Sequence, residues 1–364
     1  MGLSPSREPV GFGIELELVG LPRHFERDDA ESKWKHYQSC YDALEAAMEK
    51  SGIATTSIIF DRKGRFKKYP QNYQSWYLTY DTSIVGRNKY EAVPMEIVSR
   101  TFEIPQKDWM VELGVFWDAF FTVFEMETSN EHCGSHVHVA PLGSAYDMST
   151  LRQIAYAVII YEKHVLEILP ESRRGCHYCL PNTSVSPALK QLFRHGRNQK
   201  SYVQLRSELN DIDTPGELCI YMQGGQDGSR NVLWNFKNLE GSKGTIEFRG
   251  LPGIRSAEET IHWVLFAIGF LLLAEEEDEF GSNMPFTYVG PGTDKLRQRT
   301  EELWTRIRQC CINRLTAKWN LPSDYENMLD EESRPLVRSG SRSSLRSSLG
   351  SVSSSHSSVS LALH

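Results

Sequence analysis

The sequence predicts an α+β protein in which an antiparallel sheet carries the functional face. Three segments, VGFGIELELV (10–19), SHVHVA (135–140) and GTIEFRG (244–250), alternate apolar and polar residues with the period of two of a half-covered strand. Helix-period runs lie between and after them, but strands and helices do not alternate strictly, which argues against a parallel doubly wound sheet.

In the first strand Ile14, Leu16 and Leu18 share one face, and Glu15 and Glu17 share the other. A helix is expected over 29–50, where Trp34, Tyr37, Tyr41, Leu44 and Met48 recur at helical spacing and Gly52 stands at the C-terminal cap. Strands follow at 53–60, 75–85 and 91–99, the last interrupted by Pro94. An aromatic-rich helix spans 109–126, and another runs from 151 to 169 and stops at Pro170. Residues 171–228 are polar with scattered Gly and Pro, and read as short helices and loops covering the sheet. Strands return at 231–239 and 244–250. Ser256 and Glu259 form a capping box opening an apolar helix over 261–274, and a last amphipathic helix covers 294–319.

The 364 residues are 40% hydrophobic and carry a net charge of −7, and the four arginines from Arg334 onward leave the rest more acidic still. That balance excludes a broad nucleic-acid surface, which needs clustered Lys and Arg. The apolar run 261–274 is too short to span a bilayer and reads as a buried core helix, so no transmembrane segment is expected. Seven cysteines without a secretory leader imply a reducing, cytoplasmic setting. Met1-Gly2-Leu3-Ser4-Pro5-Ser6 fits the loose pattern for N-myristoylation on Gly2, which would give only a weak membrane contact. Three units are expected: an extension (1–9), a catalytic domain (10–330) with a helical insertion (171–228), and a Ser/Arg-rich disordered tail (331–364) too polar to bury a core. Cys176 and Cys179 have zinc-like spacing, but no second pair accompanies them.

The chemistry lies on the polar strand faces. Glu15 and Glu17 sit about 7 Å apart on one sheet face, a costly pairing unless a cation neutralises it. His136 and His138 share a face, as do Glu247 and Arg249, while Ile246 and Phe248 point to the core. Carboxylates with one or two imidazoles suit magnesium or manganese better than zinc.

The ordered motifs GIELE (13–17), YDTS (80–83), MEIVS (95–99), GSHVHV (134–139) and TIEFR (245–249) resemble the amidoligase branch of the glutamine synthetase and glutamate–cysteine ligase superfamily. The resemblance implies a glutamine-synthetase-like curved antiparallel sheet with helices on its outer face, and an ATP-dependent ligase that joins an acid to an amine through an acyl-phosphate. It implies Mg2+ or Mn2+ as cofactor, with Glu15, Glu247 and His136 holding one ion and Glu17 and Glu96 a second. His138 would lie near the nucleotide phosphates, Arg249 at the transferred phosphoryl group or the substrate carboxylate, and Asn235 beside the Glu247 strand. Asp81 and Ser83 match a substrate-side motif, with Asp81 orienting or deprotonating the amine. Closure over the site is called for, and 221–230 reads either as the segment that closes or as an ordinary mobile loop. Two departures stand out: Ser99 is followed by Arg100 and not proline, and 250–253 read Gly-Leu-Pro-Gly. A zinc hydrolase built on His136, His138 and Glu residues, or an inactive scaffold of the same fold, remain alternatives.

Overall fold

The computed structural model describes residues 9–24, 33–60, 64–66, 72–84, 92–104, 106, 108–127, 133–225, 229–241, 243–276, 294–315 and 321–326. All of these belong to one compact unit, 1–329. Residues 1–8 of the N-terminal extension and the Ser/Arg tail lie outside the described residues.

In chain order the strands are β1 (Val10–Pro22), β2 (Thr55–Ser57), β3 (Trp76–Thr79), β4 (Val93–Val98), β5 (Phe102–Ile104), β6 (Phe124–Met126), β7 (Gly134–Pro141), β8 (Trp234–Asn235) and β9 (Ile246–Pro252). The helices are α1 (Lys33–Lys50), α2 (Asp108–Val123), α3 (Met148–Ile168), α4 (Asn182–Val185), α5 (Pro187–Leu192), α6 (Gln199–Asn210), α7 (Pro215–Gln223), α8 (Ala257–Glu276) and α9 (Asp294–Arg314). One sheet runs β2-β3-β4-β1-β7-β9-β8, with β5 and β6 also paired to β1. The fold is α+β, as expected, but the sheet is mixed: β2 and β3 are parallel, and every other pair is antiparallel. The connection 58–75 has the length that a parallel crossover requires.

β1 anchors the sheet. Residues 10–12 pair with β5 and 15–20 with β4 along one edge, while 10–16 pair with β7 and 20–22 with β6 along the other. Its even-numbered residues Phe12, Ile14, Leu16 and Leu18 are buried on the outer face. Helices α2 and α8 cover that face. Trp76 stacks on Phe116 of α2 at 4.7 Å, Phe12 meets Trp109 edge-on at 5.0 Å, and Trp234 stacks on Phe270 of α8 at 4.8 Å. Trp117 Nε1 donates to Thr260 Oγ1 at 2.9 Å and ties the two helices together. α8 is long and apolar enough to cross a membrane by composition, yet most of it is buried in this core, as its apolar sequence predicted.

Several boundaries differ from expectation for local reasons. α2 ends at Val123, and Phe124–Met126 leaves the helix to pair with β1. β3 stops at Thr79 because Asp81 Oδ1 accepts the Ser83 N–H at 2.7 Å and turns the chain. β8 has two residues because Asn235 Oδ1 accepts from the Lys237 N–H and starts a 3₁₀ turn over Lys237–Glu240. The capping box at α8 is displaced: Ser256 Oγ accepts the Glu259 N–H, but the Glu259 carboxylate accepts from the Arg255 N–H. α9 ends at Arg314, and 316–320 lie outside the described residues.

A β-bulge shapes the far end of β9. Between the pairs Val137–Phe248 and Ser135–Leu251, β9 has two residues, Arg249 and Gly250, where β7 has only His136. Alternation puts Arg249 on the face of Glu247, and the extra residue after it returns Leu251 to the core. A Cβ at Gly250 would stand 2.7 Å from Leu233 Cδ1 and 2.8 Å from Phe248 Cζ, both fully buried side chains. Gly250→Ala is therefore expected to lower stability by about 1–3 kcal/mol through overpacking, read from urea denaturation at unchanged slope.

Candidate functional site

The inner face of the sheet gathers the polar residues of five strands. Direct cross-strand pairing puts Glu15 opposite His136, Glu17 opposite Glu96, His138 opposite both Gly13 and Glu247, and Asn235 opposite Glu247. Paired residues share a face, so the register alone brings the acids together. Glu15, Glu96, His136, His138, Glu247, Asn235 and Arg249 are all buried, and Glu17 is half-buried at the rim.

Side-chain contacts close the cluster. His136 Nδ1 lies 3.1 Å from Glu15 Oε2 and 3.4 Å from Glu247 Oε1, and its Nε2 is 3.8 Å from Glu17 Oε1. His138 Nε2 lies 3.1 Å from Glu15 Oε1 and 3.9 Å from Glu247 Oε1. Arg249 Nη1 pairs with Glu247 Oε1 at 2.5 Å, and Asn235 Nδ2 donates to Glu247 Oε2 at 2.6 Å. Glu17 Oε2 accepts the Gly134 N–H at 2.7 Å.

The electrostatics follow from burial opposed by these partners. Burial raises the Glu15 carboxyl, but the charges of His138 and His136 and the hydrogen bond from His136 outweigh it and hold Glu15 well below the ordinary value. Glu247 is likewise desolvated, yet Arg249, His138 and His136 bring it down to about 2. Burial disfavours the His138 imidazolium, but Glu15 and Glu247 reverse that and raise its pKa. The four carboxylates outnumber the adjacent cations, so the cluster has the charge of a cation site.

Donor chemistry agrees. Ligating atoms of Glu15, His138 and Glu247 all lie within 4.8 Å of one another, the spacing of groups around a single ion. His138 Nε2 is buried without a hydrogen bond of acceptable angle, although Glu15 Oε1 is 3.1 Å away. Two such atoms facing each other suit joint ligation of a cation better than a bond between themselves. Carboxylate oxygens in the majority fit magnesium or manganese.

Beside the cluster lies a cavity of about 400 Å³, lined by Gly11, Gly13, Tyr73, Val98, Leu142 and Lys243 among others, with Glu15 and His138 in its wall. The Lys243 ammonium sits 4.7 Å from the Tyr73 ring centroid.

Not every expected residue joins the cluster. Asp81 and Ser83 bond to each other, with Ser83 Oγ donating to Asp81 Oδ1 at 2.6 Å, in the turn after β3. Arg100 turns away to α2, where it grips Glu112 with both Nε and Nη2 beside the Trp76 indole N–H. Its neighbour Ser99 bridges strands by accepting the Ile14 N–H at 2.9 Å. Of the segment read as either a closing flap or an ordinary loop, Tyr221–Gln223 completes α7, and 226–228 lie outside the described residues.

Some contributors are new relative to the sequence reading. Asn238 Nδ2 approaches His138 Nδ1 at 3.3 Å, and Arg173 Nη2 donates to the Arg249 carbonyl at 2.9 Å. Arg249 Nε donates to the Tyr178 carbonyl at 3.4 Å. His138 reaches the same two acids that the resemblance had assigned to His136, and His136 Nδ1 lies at 3.1 Å and 3.4 Å from them, so both imidazoles face Glu15 and Glu247.

The geometry gives two stability expectations. Glu247→Gln strips a buried guanidinium of its counter-charge, and should cost about 3 kcal/mol in urea denaturation at neutral pH. Because the folded carboxyl is depressed, the wild-type advantage is full above the ordinary value of 4.5 and is lost as pH falls toward 2. Glu17→Gln should instead leave metal-free stability unchanged or raise it by up to about 1 kcal/mol, since it relieves repulsion with Glu96 directly opposite.

A protein-family model described as "Putative amidoligase enzyme" matches residues 8–271, which span every strand and α1 through most of α8. No curated protein matches the chain.

Proposed function

The chain belongs to the amidoligase family, and from that premise we propose that it is an ATP-dependent carboxylate–amine ligase acting through an acyl-phosphate. The observation that carries this reading is the convergence of Glu15, His138 and Glu247 beside Arg249, at the wall of a cavity large enough for a nucleotide base and sugar. In this reading 10–330 is the catalytic domain, and the sheet has the curvature of glutamine synthetase. Supporting that curvature, Lys243 and Tyr73 meet at 4.7 Å although they precede strands four places apart, about 19 Å in a flat sheet.

Glu15, Glu247 and His138 hold one divalent ion, His136 braces both acids, and Glu17 and Glu96 hold a second. The bound ions supply neutralisation of the phosphate oxygens, without which a substrate carboxylate could not approach the terminal phosphate of ATP. Arg249 is held in place by Glu247, by the Tyr178 carbonyl and, through its own carbonyl, by Arg173. It presents a fixed positive charge to the transferred phosphoryl group. Val98, Leu142 and the Tyr73 ring offer apolar contact to adenine, and Gly11 and Gly13 leave room for it. Asp81, at the end of β3, orients the amine.

A zinc hydrolase is the second reading, favoured only by the two imidazoles. Against it stand the Glu17–Glu96 pair and the buried Arg249, which a single-zinc site does not need.

Turnover of ATP to ADP with Mg2+ or Mn2+, screened over acids and amines, tests the proposal. Glu17→Gln, which should fold normally, is expected to lower that turnover at least about a hundredfold. Wild-type turnover in this variant removes the ligand assignment, and a tightly held zinc without ATP turnover selects the hydrolase. Tyr73→Ala should raise the KM for ATP about tenfold with kcat little changed, as the loss of one stacking face predicts.

A further inference from the structure

A second reactive group stands against the back of the site, outside the acid cluster. Gly175 adopts a positive φ of 81°, and the chain then enters a 3₁₀ turn over His177–Cys179. The Cys179 N–H donates to the Cys176 carbonyl at 3.1 Å. Such closure holds the two Cα atoms within about 7 Å, a separation a disulfide can span, and 3₁₀ geometry brings side chains i and i+3 to the same side. The two thiols differ in access: Cys176 is half-buried and Cys179 fully buried.

We propose that Cys176 and Cys179 form a reversible dithiol–disulfide pair, in which Cys176 is the attacking thiol and Cys179 the resolving one. The co-reactant is a small-molecule disulfide of the glutathione class. The Cys176 thiolate attacks one of its sulfurs, forming a mixed disulfide and expelling one thiolate. Cys179 then gives up its proton and attacks the Cys176 sulfur, expelling the second thiolate. Two protein thiols are oxidised, and one small disulfide is reduced to two thiols.

The surroundings favour this division of roles. A hydrogen bond from Cys179 lowers the Cys176 thiol against the opposing effect of burial, and the Tyr178 N–H, Arg173 and His177 add to it, giving a value of about 5. Arg173 Nη1 lies 3.7 Å from Cys176 Sγ. Cys179 Sγ lies 3.4 Å from the Arg173 carbonyl, and its thiol is raised by the hydrogen bond to Cys176 and by burial, which keeps it protonated until Cys176 has reacted. Among the described residues the pair belongs to no group with metal-binding spacing, so a zinc role has no third ligand in place. The proposal does not depend on the ligase reading. Tyr178, between the two cysteines, supplies the carbonyl that Arg249 uses, so the pair adjoins the acid cluster through one peptide unit.

The test uses the full chain and oxidised glutathione, with peptide mapping by mass spectrometry. The expected product is a Cys176–Cys179 linked peptide lacking two hydrogens and restored by dithiothreitol. Cys179→Ser and Cys179→Ala should each stop at a glutathione adduct on Cys176. Iodoacetamide labelling at about pH 5.5 should modify Cys176 about tenfold faster than free glutathione. Near neutrality the lower nucleophilicity of an acidic thiolate offsets its abundance, so the difference appears only in acid. A first linkage to Cys133, an absence of any adduct at Cys176 in both Cys179 variants, or labelling no faster than glutathione overturns the proposal.

Discussion

The inner face of the sheet is organised by one constraint, the surplus of negative charge at Glu15, Glu17, Glu96 and Glu247. Left alone, buried carboxylates this close would protonate or separate. Glu15 and Glu247 remain depressed because Arg249 and the two histidines are wedged among the acids, and Glu247, the most deeply buried, has partners on both oxygens. The register of β1 against β4 and β7, and of β7 against β9, makes that crowding unavoidable. A slip of one residue in any of these pairings would send the acids into the aromatic layer under α2 and α8.

Strand parity made the inner face legible in the sequence. Glu15, Glu17, His136, His138, Glu247 and Arg249 were each assigned to a polar face by alternation, and the structure brings those faces together. Alternation does not say which residues meet across strands, and that is where the reading fell short. That His138 reaches Glu15 and Glu247 as well as His136 does depends on its lying opposite Gly13 and Glu247, which follows from pairing and not from local pattern. Leu251 reaches the core through a bulge, and nothing local in TIEFRG distinguishes a bulged strand from a regular one except Gly250.

Competing hydrogen bonds explain the other differences. Asp81 and Asn235 each sit at a strand end, where their short side chains capture a backbone N–H two residues on and stop the strand. Arg100 lies next to the inner-face motif, but it follows the point where β4 gives way to β5, and its guanidinium reaches Glu112 on the opposite side. The partner is distant in sequence, so only the three-dimensional arrangement reveals it. The same holds for Arg173, whose link to the Arg249 carbonyl joins two segments far apart in the chain.

The two faces of the sheet divide the work of stability and chemistry. The outer face carries stacked aromatics and continuous apolar packing from α2 and α8, interactions that grow with contact area and need no counter-charge. The inner face carries groups whose mutual cost is lowest when a divalent ion is bound. Rigidity on one side is what lets the other keep acids at ligand spacing without relaxing apart. Glu17 sits at the boundary of this arrangement: half-exposed, held by one backbone N–H and set directly against Glu96, it adds repulsion that the proposed cation would relieve. Under the proposed ligand assignment such an acid has its explanation in binding, and its position at the rim makes it the one through which that explanation can be separated from folding.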